Sequence, residues 1–365
     1  MTDPVTDLDS IDATWLTSAL AEAGVADGAS VAAVEAKSIG TGQVGENVRF
    51  TLTWSEDRPD LPGSVVGKFP STSEVSLAAA EATETYVREV GFYRDLQAEV
   101  DIPTPHVFRI EEDLATNRFL LLMEDIRPAE QGDQLGGCNL AQAELAVDAA
   151  AGLHASTWAR ATELAELSWL ELPSADAAVQ WFELYRALFG GFVERYADQL
   201  TDDQIGVGRW IGEHLPPLWE AALSVPLCLA HHDFRLDNML FGVGEGAPPL
   251  TVVDWQTARL GSGPADVAYF VGAGLLADDR RSHEQTLVNR YTEGLVRRGV
   301  TVDHDTIDLG YRVGATSGYI MAVIASQMVE QTDRGDTMFV AMASRHTQQI
   351  LDLDVAALVG GTDGP

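Results

Sequence analysis

Apolar and polar positions along the chain change their period near residue 139. Before that point the pattern is mostly strand-like. Residues 10–24 are one exception: apolar residues recur at helical spacing, Ser10 or Asp12 stands at the start, and Gly24 at the end. Val31 to Ile39 predicts a strand, and Gly40-Thr41-Gly42-Gln43-Val44-Gly45 follows it. Asn47 to Trp54 alternates polar and apolar, a second strand. Two prolines between Glu56 and Gly63 predict a hairpin loop, and Ser64 to Pro70 a third strand. Ser73 to Glu99, rich in Ala and Glu, predicts one long helix. Val107 to Ile110 and Arg118 to Met123 predict a strand pair, the second almost wholly apolar and therefore central.

The stretch from Pro128 to Asn139, rich in Gly and polar residues, predicts a linker. Beyond it helical periodicity dominates: Leu140 to Arg160, Asp176 to Leu200, Asp202 to Leu223, and from Pro264 to about Val359. Two short strands, Leu227 to Ala230 and Leu250 to Val253, interrupt it. His154 and Trp158 share a helix face and read as core. The expected fold class is α+β, an N-terminal antiparallel sheet plus helix followed by a mostly helical part. The expected division is at residues 1–126 and 127–365.

Composition narrows the function. The 365 residues include 46% hydrophobic and 8% aromatic positions, a globular composition. Fifty-six acids against 23 bases give a formal charge of −33, which argues against nucleic acid and anionic membrane as partners. The acids are spread along the chain, so the charge reads as a solvated surface before it reads as a cation-binding site. No apolar run approaches the roughly 18 residues of a spanning helix, and the acidic, polar start is unlike a signal peptide; a cytoplasmic protein is expected. Cys138 and Cys228 suggest neither a disulfide framework nor a zinc motif. Nothing in the sequence fixes the oligomeric state.

The candidate chemistry lies beside the two interrupting strands, which bracket an acidic cluster. His231-His232-Asp233-Phe234-Arg235-Leu236-Asp237-Asn238 places Asp233 five residues before Asn238, and Asp254 follows sixteen residues later at the end of an apolar run. One carboxylate to receive the proton of an attacking hydroxyl, with a second carboxylate and an amide oxygen for magnesium, is what phosphoryl transfer from ATP requires. The chain has only two lysines, Lys37 and Lys68, and Lys68 lies in a predicted strand. An edge-strand surface lysine is the bland alternative; beside the Asp/Asn/Asp set, a contact to the α- and β-phosphates is the sharper reading. Glu89 is the expected carboxylate partner of Lys68, with Glu84 next. The glycine-rich turn, Gly42 and Gly45 included, suits close approach to a phosphate but lacks P-loop spacing. Backbone groups near Glu124 and Ile126 are candidates to receive an adenine ring, on position alone.

His-x-Asp-x4-Asn, an apolar strand ending in Asp254-Trp255, and Gly263-Pro264-Ala265-Asp266 together resemble the aminoglycoside phosphotransferase and choline kinase-like superfamily, small-molecule relatives of the protein kinases. Asp233 to Asn238 is similar to its bacterial and acyl-CoA-dehydrogenase-linked branches. Leu121 to Asp125 and Gly132-Asp133-Gln134 resemble its ecdysteroid kinase-like branch. The resemblance runs from about Gly40 to Tyr269 and implies a two-lobed protein-kinase-like fold and ATP-dependent transfer to a hydroxyl of a small molecule. It implies that Asp233 is the catalytic base or orients the hydroxyl, and that Asn238 and Asp254 hold Mg2+. Lys68, paired to Glu89, would bind the α- and β-phosphates; Arg235 would neutralise charge on the transferred group; Asp266 would brace the loop. The four residues Lys68, Asp233, Asn238 and Asp254 would then meet at one nucleotide between two lobes. The family usually has glycine where this chain has His232, which either reads substrate or fills space. Acceptors in the superfamily range over aminoglycosides, macrolides, choline, homoserine, sugars and steroids, and nothing here selects among them. Trp181, Phe182, Tyr185, Phe189, Phe192, Trp210 and Trp219 read first as core and second as an acceptor wall. A nucleotide-binding pseudoenzyme and a protein kinase are the competing readings.

Overall fold

The computed structural model describes residues 4–26, 28–40 and 45–359. Contacts divide the chain into two compact units. The first holds the residues up to Ala98, Thr104–Pro128 and Val253–Gln256; the second holds Glu99–Pro103, Ala129–Val252 and the residues from Thr257 onward.

The first unit is built on a five-stranded antiparallel sheet. Its strands are β1 (Val31–Ile39), β2 (Gly45–Trp54), β3 (Ser64–Pro70), β4 (Val107–Asp113) and β5 (Arg118–Glu124), in the order β1-β2-β3-β5-β4. β1, with Lys37 on it, is an exposed edge. β3 and β5 are interior and buried on both faces, so they read as continuous apolar runs. Helix α1 (Ala13–Glu22), capped by Asp12 through the Trp15 amide, packs Leu16 and Leu20 onto Val48, Phe50, Val65, Phe69, Leu120 and Leu122. Because successive strand residues alternate faces, Lys68 of β3 points away from this α1 core.

The long helix expected over Ser73–Glu99 is broken. Helix α2 (Glu74–Ala82) ends, Glu84 takes a left-handed conformation at φ 52°, and α3 (Thr85–Gly91) begins. The Thr83 and Thr85 hydroxyls bond each other at 2.6 Å. Arg88 donates to the Thr83 carbonyl and pairs with Glu84 at 2.8 Å. Two β-branched residues and a side chain that satisfies the freed carbonyl favour a break that Ala and Glu content does not reveal. α3 runs into a π-helical turn over Phe92–Leu96, with the Gln97 amide bonded to the Phe92 carbonyl.

The second unit is mostly helical: α4 (Leu140–Thr157), the single turn α5 (Ala161–Leu164), α6 (Ala175–Arg195), α7 (Asp202–Leu223), α8 (Gly263–Gly274), α9 (Ala277–Arg297), α10 (His304–Gly314), α11 (Ser317–Met328) and α12 (Asp333–Asp352). Asn139 and Thr201 close capping boxes with Gln142 and Gln204, which explains why α4 and α7 start where they do. The residues expected to link two domains instead contain a strand, β6 (Ala129–Gln131). It pairs with β8 (Met239–Gly242), which pairs with β9 (Leu250–Val252). β7 (Leu227–Ala230) pairs with β10 (Arg259–Ser262). Tyr185, Phe192 and Trp210 are core, as expected first; Trp181 is 38% exposed, with the Arg259 guanidinium 5.3 Å above its ring.

Candidate active site

In the first unit, Lys68 Nζ lies 2.6 Å from Glu89 Oε1 and 3.0 Å from Asp254 Oδ1. Lys68 and Glu89 are 7% and 1% exposed, so this is a buried cluster of one cation and two carboxylates. Burial disfavours the ammonium, but Asp254 and Glu89 outweigh it and raise the lysine, which stays charged. Burial, helped by the Asp254 charge and opposed by Lys68, raises the Glu89 carboxyl. Glu84, the alternative partner, points to Arg88 instead. Asp254 adopts φ 70°, and Trp255 beside it is wholly buried, stacked on Phe92 with centroids 3.6 Å apart and planes 2° apart. The π-helical turn thus holds the aromatic next to Asp254, and the Trp255 backbone amide supports Glu89.

Gly45 begins β2 opposite Pro70. A Cβ there would lie 3.1 Å from the Phe69 carbonyl oxygen and 3.3 Å from Lys68 Cε, so a side chain would crowd the lysine. Gly42 lies outside the described residues. The Glu124 amide is engaged by the His106 carbonyl at 2.8 Å, and Ile126 is buried. Asp125 between them is fixed by Arg49 and by the Ser64 hydroxyl, each at 2.6 Å.

In the second unit, β7 delivers the loop His231–Asn238, which closes in a 3-10 turn before β8. Its entrance is held by Asp266 of α8. That carboxylate accepts the His231 amide at 2.6 Å and the His232 amide at 2.9 Å, and His154 Nε2 stands 3.3 Å away. His154 Nδ1 in turn meets the Tyr291 hydroxyl at 3.0 Å. His154 is therefore not packing alone; it joins a buried polar chain. Burial would raise the Asp266 carboxyl, but His154 and the neighbouring histidines bring it below the usual range.

Asp233 is surrounded by donors. Arg235 Nε reaches it at 2.9 Å, Asn238 Nδ2 at 2.9 Å and the Tyr269 hydroxyl at 2.9 Å. Arg235 also contacts Asp237 at 3.0 Å and Met338 Sδ at 2.8 Å. Asp237 accepts from Arg334 at 2.9 Å and from the Gln134 amide at 3.2 Å. Gln134 Oε1 accepts the Leu236 amide at 2.9 Å, and Gln131 Nε2 donates to the Asp237 carbonyl at 2.5 Å. The presumed linker is thus a splint for the loop.

His232 has φ 61°, a conformation glycine adopts without strain. Its ring lies over Gly261, where a Cβ would come within 2.6 Å of His232 Nε2. Burial lowers its pKa to about 4. In this structure the ring occupies the space left by Gly261.

The profile of the phosphotransferase enzyme family matches residues 50–298, more than half of the chain. The chain belongs to that family. A crystal structure of a provisionally assigned aminoglycoside phosphotransferase from Ralstonia eutropha JMP134 is similar at 15% identity, with a TM-score of 0.51, over 94% of this chain and 99% of that one. This likeness shows the fold, the kinase-like α+β class. Choline kinase LicA from Streptococcus pneumoniae gives a TM-score of 0.49 at 15% identity over 88% of this chain and 94% of that one. In sequence, 61 residues are 43% identical to acyl-CoA dehydrogenase family member 10 of Mus musculus; they make up 17% of this chain and 5% of that protein. Among the described residues no helix is long and apolar enough to cross a membrane.

For this family member, the structure brings Lys68, Glu89 and Asp254 together in the first unit, and Asp233, Arg235 and Asn238 together in the second. Sequence reasoning missed Tyr269, Asp237, Gln134, Arg334 and the Phe92–Trp255 stack. Tyr269 had a usable signal, since it lies three residues after Asp266 and so on the same face of α8. The others rest on contacts between residues far apart in sequence.

Proposed function

We propose that this protein transfers the γ-phosphoryl group of ATP to a hydroxyl of a small molecule, with magnesium. The observation that carries the proposal is the Asp233 carboxylate, held by three donors in a loop anchored at both ends. Such fixing is what positioning catalysis needs. The acceptor oxygen bonds to the γ-phosphorus as the bridging P–O bond to ADP breaks. The acceptor proton goes to Asp233 or through it to solvent. Arg235, fixed between Asp233 and Asp237, offsets negative charge at the transferred group.

Lys68, kept cationic by its two carboxylates, serves the α- and β-phosphates. Gly45, at the start of β2, serves the phosphate side, and the backbone near Glu124 and Ile126 takes the adenine. Asn238 and Asp254 fit magnesium in donor chemistry: a carboxylate, and an amide whose nitrogen is committed to Asp233 so that its oxygen is the side left for a metal. Held by donors of this kind, magnesium would screen the phosphate charge. The acceptor is a small hydroxyl compound; aminoglycosides, amino alcohols and sugars are the classes to try first.

The test is a phosphorylation screen by mass spectrometry, using ATP or GTP with magnesium against antibiotics and metabolites. Asp233→Asn is expected to lower turnover by about three orders of magnitude or more while nucleotide still raises the melting temperature. A variant as active as the parent would remove Asp233 from the reaction.

A further inference from the structure

Helix α8 touches the catalytic loop at two points. Asp266 takes the amides of His231 and His232, and three residues later Tyr269 donates its hydroxyl to Asp233 Oδ1. Positions i and i+3 share a helix face, so one rigid element sets both the loop backbone and the carboxylate it carries. Tyr269 is 2% exposed, and its ring packs 5.7 Å from that of His346. A buried phenol needs a partner, and Asp233 is the one this structure supplies. The carboxylate has about four acceptor positions. Tyr269 donates to Oδ1 and Asn238 to Oδ2, Arg235 Nε bridges both at 2.9 and 3.0 Å, and the side chain keeps 14% exposure, so a lone pair remains for an acceptor hydroxyl.

We infer that Tyr269 is a positioning residue for phosphoryl transfer: its hydroxyl fixes the rotation of the Asp233 carboxylate so that the remaining lone pair faces the attacking oxygen. The inference rests on the proposed role of Asp233. Burial next to Asp233 raises the phenol well above its ordinary value, so the donor proton persists through the alkaline range. The Tyr269 hydroxyl donates to Asp233 and also feels the Arg235 charge, so its effect on the reaction passes through the Asp233–Arg235 pair.

The experiment compares the parent, Tyr269→Phe, Asp233→Asn and the double variant. Single-turnover consumption of ATP with magnesium is followed, with water or an acceptor from the screen as the phosphoryl acceptor. Nucleotide affinity is measured in parallel. Tyr269→Phe keeps the ring against His346 and is expected to lower the single-turnover rate about 10- to 100-fold, with nucleotide affinity within about twofold. In the Asp233→Asn background the same change is expected to have no further effect. A purely packing role would cost as much in the Asp233→Asn background as in the parent. Full activity in Tyr269→Phe alongside an inactive Asp233→Asn overturns the inference alone, as does an equal loss in both backgrounds. A parent that turns over no ATP, or an Asp233→Asn variant at parental rate, overturns the role of Asp233 and the inference with it.

Discussion

Replacing Lys68 with methionine gives a sharp test of the buried charge cluster. Methionine fills similar volume but leaves Glu89, 1% exposed, with no cation at 2.6 Å. Removing one partner of a buried ion pair costs about 3–5 kcal/mol, because the remaining charge is uncompensated. Asp254, whose side chain is 26% exposed, keeps water and contributes little to that cost. Glu89 can escape the penalty by taking a proton, and its carboxyl is already raised by burial and by Asp254. Without Lys68 it rises further. A carboxyl raised in the folded state is favourable below its unfolded value near 4.5, and that advantage fades as pH climbs through the folded value. Lys68→Met is therefore expected to lose about 3 kcal/mol or more at pH 8 and far less at pH 5. Adding Glu89→Gln should recover much of the loss at pH 8. Urea unfolding followed by tryptophan fluorescence at both pH values measures it. An equal penalty at pH 5 and pH 8, or a double variant weaker than Lys68→Met, would refute the reasoning.

Two further outcomes follow from the second unit. His346 is fully buried, and burial lowers its pKa from 6.5 to about 4, so the unfolded chain binds the extra proton between those values. Its contribution is present above pH 6.5 and is lost as pH falls toward 4, a change of about 3 kcal/mol at most; the fall in melting temperature between pH 7 and pH 4.5 should shrink in His346→Asn. Asp266→Ala removes the acceptor of two loop amides and of His154, all in or beside the core. It should cost about 3 kcal/mol in urea unfolding and speed hydrogen exchange at the amides of residues 231 and 232.

The sheet was legible because its strands carry their periods plainly. Ser64–Pro70 is bounded as its pattern predicts, and Leu227–Ala230 likewise. The Lys68–Glu89 pair was legible because one lysine stands in an otherwise apolar strand. What escaped was tertiary. Alanine content favours helix throughout 73–99, and only the contacts of Arg88, Thr83 and Thr85 show why it stops at Glu84. Polar, glycine-rich composition reads as linker at 128–139, yet Gln131 and Gln134 are spent on backbone groups a hundred residues away. The Asp233 carboxylate was visible; its third donor was reachable only through the three-residue spacing of Tyr269 from Asp266 on one helix face.

The way the chain weaves between its two units has a practical outcome. A fragment stopping at Pro128 would contain all five strands of the first sheet, but Val253–Gln256 would be missing. Phe92 would lose the indole it stacks on, and Lys68 would lose one of its two anions. Neither half of this protein is a cassette. Splicing it with a relative at a single junction would separate Asp254 from the lysine it neighbours, so chimaeras need three exchanged segments rather than one.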